Sequence, residues 1–339
     1  MLDWNNLLKE CGMSEKKLNW GLLSTARINQ DLIVPLTASR RTRLLAVASR
    51  SQSTADAYAS KWNIPRAHGS YESLIHDPEI DVIYNSLPNN LHAEWTIKAL
   101  RAGKHVLCEK PIALTLAEMD AMAQAVQETG CVLAEAFMYR HHVQTLKIKE
   151  MIDAGELGRI QLIRGAFTYT LEAEDNDRWL TQKGGGSIWD VGCYPISYAR
   201  TMLGVEPVEV FGWQNLSQGG SDLTFVGQMR FEDGVHAQFD SGFRSPLRSM
   251  MEIVGSGAVL NIPNPFKPGF ENEIYLTRAE KTQIIKISGD ELYLGEVEDM
   301  CDAILHGKSP LVSLDDSRKN TAVIVAYLES AKSGKPVAL

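Results

Sequence analysis

The chain has no surplus of positive charge: 34 lysines and arginines stand against 42 aspartates and glutamates, a formal net charge of −8. Without a basic excess to displace counterions, a nucleic-acid partner is not expected, and the short cluster Arg40-Arg41-Thr42-Arg43 reads as a solvated loop. Cysteine is sparse, at 11, 108, 131, 193 and 301 with no C-x-x-C spacing, which indicates reduced thiols and argues against a disulfide framework. No run approaches the roughly 18 apolar residues of a membrane span. The first 17 residues, MLDWNNLLKECGMSEKK, lack an apolar stretch of signal-peptide length and contain acids. They read as an N-terminal extension, a surface helix or arm, and the expected location is the cytoplasm. No G-x-S-x-G elbow exists, which argues against nucleophilic hydrolysis. His141 and His142 are adjacent, so they do not aim at one ion, and no acid has useful spacing to join them; no metal is expected. Glycine is absent where a dinucleotide loop normally has it. In GLLSTARIN, residues 21–29, the three glycine places of G-x-G-x-x-G hold Ser24, Ala26 and Asn29.

What is present is an alternation of apolar runs and helical patterns from residue 18 to about 137. LNWGLLS, RLLAVASRS, DVIYNSLP, KHVLCEK and CVLAEAF read as strands. Helices are expected over 27–38, STADAYASKWN, HAEWTIKALRAG and LTLAEMDAMAQAVQETG, the last two closed by Gly103 and Gly130. Strands alternating with helices imply a parallel sheet covered on both faces, a doubly wound α/β domain over residues 18–138. After about 140 the pattern changes to strand-like runs in series, from RIQLIRGAFTYT to TQIIKIS, with helices at 143–154 and after the glycines at 184–186. FEDGVHAQF places Asp-Gly between alternating runs, a hairpin signal. Residues 139–339 therefore read as an α+β domain with a large, mainly antiparallel sheet and closing helices within 293–333. At 339 residues the chain exceeds what one core usually serves, and the cleft between two domains is the expected place for a site.

The fingerprint glycines serve a tight turn, close approach to a pyrophosphate, and helix–strand packing. Ser24 can make a turn at negative φ and has a hydroxyl to donate to a phosphate; Ala26 adds one methyl. A helix N-terminus, here at Thr25, Arg27 and Ile28, offers unpaired amides whatever the side chains are. By itself this motif equally describes an ordinary strand–turn–helix. The end of the second strand adds information. An acid that would bind a ribose 2′-hydroxyl is missing, and Ser49-Arg50-Ser51 stands in its place. Arg50 can pair with a 2′-phosphate, flanked by the neutral donors Ser49 and Ser51, so NADP is expected in preference to NAD. Arg50 reads equally as a surface arginine at a strand end.

Two stretches carry chemistry. CEKP, residues 108–111, ends a strand, and ligands of doubly wound sheets bind outside the carboxyl ends of strands, so Lys110 faces the cleft or caps the edge. In GGGSIWDVGCY, residues 184–194, Asp190 and Tyr194 are four apart and share one helical face. A phenol titrates near 10, and a neighbouring ammonium lowers that value. A shift of about two units, roughly 2.7 kcal/mol, would bring Tyr194 into range for acid–base work. Read alone, Asp190 equally starts a helix and Tyr194 equally fills a core.

With WGLLSTARI, SLPNNLHAEWTIKALRAGKHVLCEKP, AEAFMYRHH, GGGSIWDVGCYPISYAR and the tail YLGEVEDMCDAILHGKSP…AKSGKPV, the sequence resembles the Gfo/Idh/MocA oxidoreductases from Leu18 onward. The tyrosine at 194, where many members carry histidine, resembles the branch with dimeric dihydrodiol dehydrogenases, NADP-dependent xylose dehydrogenases and glucose–fructose oxidoreductases. The resemblance implies that Lys110 contacts the reacting oxygen, that Glu109 supports it or touches the nicotinamide ribose, and that Asp190 orients substrate. It implies that Leu87, Pro88, Asn89 and His92 lie by the cofactor, and that Tyr139, Arg140, Arg178 and Trp179 serve the substrate pocket, whose rim runs through 139–142, 165–183 and 243–250. The activity implied is NADP-dependent hydride transfer to or from a sugar or cyclic diol, in a dimer joined through the C-terminal sheet. The same scaffold also serves as a dinucleotide or sugar sensor, or in redox-assisted glycoside cleavage with a tightly held cofactor.

Overall fold

A computed structural model describes residues 16–173 and 176–339; the surface helix expected in the N-terminal extension falls outside the described residues. Six parallel strands form the first sheet: β1 (Leu18–Leu22), β2 (Thr42–Ala48), β3 (Arg66–His68), β4 (Val82–Asn85), β5 (His105–Glu109) and β6 (Leu133–Ala136). They lie in the order β3-β2-β1-β4-β5-β6, so the winding direction reverses between β1 and β4, where ligands of such sheets enter. Five helices connect them: α1 (Asn29–Ala38), α2 (Gln52–Trp62), α3 (Tyr71–Ile75), α4 (His92–Arg101) and α5 (Leu116–Thr129). Local chemistry fixes their ends. Thr115 and Glu118 form a reciprocal capping box at the start of α5, and Gly130 closes it at φ +69°, a left-handed position that suits glycine. β3 and α3 had no counterpart in the sequence pattern. Arg66-Ala67-His68 is a half-buried edge strand with no apolar run to announce it.

The second sheet has nine strands: β7 (Ile160–Thr170), β8 (Glu209–Leu216), β9 (Asp222–Arg230), β10 (His236–Gly242), β11 (Arg244–Gly255), β12 (Val259–Ile262), β13 (Glu271–Arg278), β14 (Lys281–Ser288) and β15 (Val337–Ala338). Their order is β14-β13-β12-β11-β7-β10-β9-β8-β15. It is antiparallel except where β7 runs beside β10. The Asp-Gly hairpin forms as expected: β9 pairs with β10, Phe231 N donates to Val235 O (2.9 Å), and Gly234 takes φ +75°. Helices α6 (Val143–Asp153), α7 (Cys193–Leu203), α8 (Leu294–His306) and α9 (Leu314–Ser333) complete the chain. Arg41, at the start of β2, reaches Glu298 and Asp302 of α8, tying the last helices to the first sheet. No described helix is long and apolar enough to cross a membrane.

The second core turns on two glycines that face each other across β8 and β9. Gly212 and Gly227 are register partners, and the fully buried Tyr327 of α9 sits over them, edge-on to Phe225 and Phe239 at ring centroids 5.7 and 5.3 Å away. A Cβ at Gly227 would lie 2.7 Å from Tyr327 Cε1, closer than packed carbons allow. Gly227→Ala should therefore destabilise the protein by about 1–3 kcal/mol, read as a lower midpoint in chemical denaturation; an unchanged midpoint would mean that the ring seat relaxes freely.

Candidate active site

The crevice between β1 and β4 is floored by polar side chains. Ser24, just past β1, and Ser86, just past β4, face each other at Oγ–Oγ 2.8 Å. Ser86 Oγ donates to Asn29 Oδ1 (2.6 Å), and Asn29 Nδ2 donates to the Ser24 carbonyl (2.6 Å). Because the Ser86 proton goes to Asn29, the Ser24 proton goes to Ser86. Ser24 Oγ also accepts from Ala26 N at 3.0 Å, so its hydroxyl is not the phosphate donor that the sequence suggested. The amides of Thr25, Arg27 and Ile28 have no protein acceptor among the described residues, and they stand where α1 begins. At the end of β2, Arg50 is exposed while Ser49 is buried. Ser51 caps α2 by accepting from Thr54 N. The first acid beyond, Asp56, is held by Gln52 (2.8 Å). This donor set, with an exposed arginine and no carboxylate at the strand end, fits a dinucleotide with a 2′-phosphate.

One strand further along the sheet, β5 ends in Glu109, and Lys110, the next residue, is joined to Pro111 by a cis peptide bond. Lys110 Nζ donates to the Asp190 carbonyl at 2.7 Å and lies 3.4 Å from Asp190 Oδ1. It also sits over the ring of Tyr194, 5.1 Å from the centroid. Asp190 belongs to a π-helical turn, Ile188–Gly192, that runs into α7. The other carboxylate oxygen, Oδ2, accepts from Tyr169 OH (2.7 Å) and pairs with Arg178 Nε (2.9 Å). Burial works against both charges, but each outweighs it for the other: Lys110 and Arg178 hold Asp190 well below the usual carboxylate range, and Asp190 raises the Lys110 ammonium. The pair is therefore ionised across the range in which the protein works. Glu109 accepts from Tyr84 OH and from the Lys110 amide.

Comparison with known proteins finds matches over almost the whole chain. The model of the oxidoreductase family with an NAD-binding Rossmann fold, GFO_IDH_MocA, matches residues 18–137, and the GFO/IDH/MocA C-terminal domain matches residues 145–261. A D-xylose 1-dehydrogenase (NADP(+)) of Haloferax volcanii is 33% identical over 94% of this chain and 99% of its own length. The chain belongs to the Gfo/Idh/MocA oxidoreductases. Among solved structures of similar fold are an aldose–aldose oxidoreductase of Caulobacter crescentus (TM-score 0.89, 25% identity, covering 96% of this chain and all of that one) and a 3-ketoreductase of Actinomadura kijaniata with NADP and TDP-benzene (TM-score 0.88, 26% identity, 93% and 98%). Variants of that ketoreductase in which one tyrosine becomes phenylalanine, or one lysine becomes alanine or glutamate, have also been solved.

Within this Gfo/Idh/MocA chain, several expected residues stand in surroundings other than those expected. Tyr194 is 4% exposed, its ring stands among Phe137, Tyr139, Phe167 and Phe266, and its hydroxyl is 3.7 Å from Met138 Sδ. Burial, with the nearby Cys193, Tyr293, Glu109 and Asp190, pushes its pKa well up, the reverse of the lowering expected from Lys110. The ammonium meets the ring face, and Asp190 already neutralises it. Tyr139 is fully buried, donates to Ser197 Oγ (2.9 Å) and stacks on Tyr198; Arg140 pairs with Asp316 of α9 at 2.7 Å. Both hold the interior and are not substrate donors. His92 is buried with Nδ1 2.8 Å from the Pro111 carbonyl and Nε2 2.7 Å from the Leu87 carbonyl, so it braces the loops after β4 and β5 and has no nitrogen left for a cofactor. Trp179 donates to the Ala173 carbonyl and stands edge-on to Phe243.

The glycines at 184–186 crowd chain against chain. A Cβ at Gly185 would lie 2.8 Å from the Leu180 carbonyl, and Gly186 N donates to the Arg178 carbonyl at 3.0 Å. Asn89 Nδ2 reaches the Gly184 carbonyl at 2.9 Å, linking the loop after β4 to the segment that carries Arg178. Tyr169 was missed. It lies on β7, two residues after Phe167 and on the same face, yet alternation does not separate a core aromatic from one whose hydroxyl meets a carboxylate. Glu135, at the end of β6, was missed too. Its Oε1 accepts from Ile112 N (2.9 Å), two residues past Lys110, and burial pushes its pKa up to about 7.

A carboxyl whose folded pKa exceeds its unfolded value contributes stability that is complete below the unfolded pKa and lost as pH rises through the folded one. Wild-type protein should lose on the order of 3 kcal/mol between about pH 4.5 and pH 7 relative to Glu135→Gln, which keeps an acceptor for Ile112 without titrating. Denaturation midpoints of the two proteins across that window decide it; parallel curves would rule out the buried titration.

Proposed function

We propose that this chain is an NADP-dependent oxidoreductase that transfers a hydride between the nicotinamide and a sugar or cyclic diol. The observation that carries this reading is the ionised Lys110–Asp190 pair, set against the Tyr194 ring at the end of β5 and next to the crevice between β1 and β4. The names of relatives agree in chemical class: beside the xylose dehydrogenase stand dTDP-sugar 3-reductases and trans-1,2-dihydrobenzene-1,2-diol dehydrogenases. In this reading residues 18–138 hold the dinucleotide and residues 139–339 hold the substrate. The outer face of the second sheet, where Trp213, Val226 and Ile284 are exposed, takes a second copy of the chain.

The amides of Thr25, Arg27 and Ile28 would hold the pyrophosphate, Arg50 with Ser49 and Ser51 the 2′-phosphate, and Leu87, Pro88, Asn89 and Glu109 the nicotinamide half. When bound, the nicotinamide supplies or accepts the hydride. The chain's own residues do the rest. Lys110 lies where it can stabilise negative charge developing on the substrate oxygen, in a site with little water. Asp190 keeps that ammonium charged and offers an acceptor to a neighbouring hydroxyl. Arg178 and Tyr169 fix Asp190 from the far side, and Arg178, nearly half exposed, can also meet substrate. Tyr194 handles the proton of the reacting oxygen. Held neutral by burial, it is ready to donate in the direction of carbonyl reduction; oxidation requires it to give up that proton first.

Two measurements test this. Tyr194→Phe should retain NADPH binding within about threefold while kcat falls about 10²–10⁴-fold, and in the wild type oxidation should quicken as pH rises while reduction stays level; an unchanged kcat would remove Tyr194 from the mechanism. Calorimetric titration of Arg50→Ala should show NADPH weakened about 10- to 100-fold, with NADH little affected. A variant that keeps the preference for NADPH would refute the role of Arg50.

A further inference from the structure

We propose that the hydrogen-bonded ring of Ser24, Ser86 and Asn29 shapes the dinucleotide loop of this chain in place of the fingerprint glycines, making Asn29 and Ser86 positioning residues for the pyrophosphate of the cofactor. The inference rests on the NADP reading above and extends it to residues that touch no ligand.

The ring is closed, and the Ser24 hydroxyl, 2.8 Å from Ser86 Oγ, also lies 3.3 Å from the Ser86 carbonyl, so both of its acceptors belong to Ser86. Ser24 O–H goes to Ser86 Oγ, Ser86 O–H to Asn29 Oδ1, and Asn29 Nδ2–H to the Ser24 carbonyl, at 2.8, 2.6 and 2.6 Å. All three residues are buried, Asn29 completely, so water does not compete and loss of one partner leaves the others unsatisfied in a low dielectric. The ring spans the ends of β1 and β4, the two strands between which the sheet reverses its winding.

Its effect on the backbone follows from peptide geometry. Carbonyl and amide of one peptide unit point in opposite directions. With the Ser24 carbonyl drawn inward to Asn29, the Thr25 N–H is turned outward to the crevice. The Ala26 N–H is turned inward, onto Ser24 Oγ. The loop thus presents the amides of Thr25, Arg27 and Ile28 and withholds that of Ala26. No residue from Ser24 to Asn29 has a positive φ, so the turn does not need glycine; it needs the ring. The side chain of Asn29, at the third glycine place, performs by hydrogen bonding the helix-to-strand closure that a glycine performs by lacking a side chain.

The test is a titration of full-length protein with NADPH and, separately, with adenosine 2′-phosphate, which carries the Arg50 ligand without a pyrophosphate. Asn29→Ala should weaken NADPH tenfold or more and adenosine 2′-phosphate less than threefold. Ser86→Ala should do the same and Ser86→Thr, which keeps the hydroxyl, should restore binding. Ser86→Ala changes so little volume that it carries the test should Asn29→Ala fold poorly. The double variant Ser24→Gly/Asn29→Gly, which restores two fingerprint glycines, should bind NADPH more weakly than wild type. Undiminished NADPH affinity in Asn29→Ala or in the double variant would overturn the proposal, as would equal losses for both ligands, which would mark a merely structural role. If the wild type binds NADPH but the variants match it, this inference alone fails; if the wild type binds no dinucleotide, the NADP reading falls and takes this one with it.

Discussion

The site depends on one ion pair that joins residues eighty positions apart. Lys110 ends a strand of the first sheet and Asp190 lies in the turn that begins α7, and each is almost wholly removed from water. A buried charge is tolerable only when paired and hydrogen-bonded, so the Lys110 ammonium depends on Asp190, which Arg178 and Tyr169 hold in turn from the far side. Lys110 is also bonded to the Asp190 backbone carbonyl, which fixes the π-turn as well as the side chain. The consequence is geometric: the dinucleotide crevice and the segment bearing Arg178, Asp190 and Tyr194 are held in one frame.

Supports on either side extend that frame. His92 joins the carbonyls of Leu87 and Pro111, bringing the loop after β4 to the turn after β5. Glu135 takes the Ile112 amide from the opposite side. The Pro111–Ile112 peptide, just past Lys110, is therefore held through both its carbonyl and its amide. Precision of this kind comes from backbone amides and carbonyls held by buried side chains, and a sequence pattern gives little sign of it.

The first domain was legible because its strands are buried on both faces and centre on apolar runs, as in Val82–Tyr84 and Val106–Cys108, separated by helices with clear stops. β3 escaped because an edge strand of Arg66, Ala67 and His68 has no such run. The second sheet was legible as a set of strands but not as an order: the parallel pairing of β7 with β10 joins segments some seventy residues apart, and no local signal encodes it. At the site, residue types pointed to Lys110, Asp190 and Tyr194 and the family resemblance to Arg178, and the fold brings the four together. Exposure was the missing quantity. Tyr139, Arg140 and His92 sit in promising stretches yet are buried in contacts of their own, and the direction of the Tyr194 shift reverses for the same reason. For Tyr194 burial outweighs the neighbouring ammonium, whose charge Asp190 already offsets.

The backbone is not of one kind around the site. The Lys110 side is built from strand ends and braced turns, whereas Arg178 and Trp179 lie in short 3₁₀ turns, held by the glycine segment and by contacts such as Trp179 to the Ala173 carbonyl. Reacting atoms demand fixed positions, because a small misplacement costs rate steeply. Recognition of one sugar or diol over another tolerates change, and loops accept substitution where strands do not. Fixed chemistry on the strand side and variable contacts on the loop side would let one scaffold accept different substrates without moving Lys110.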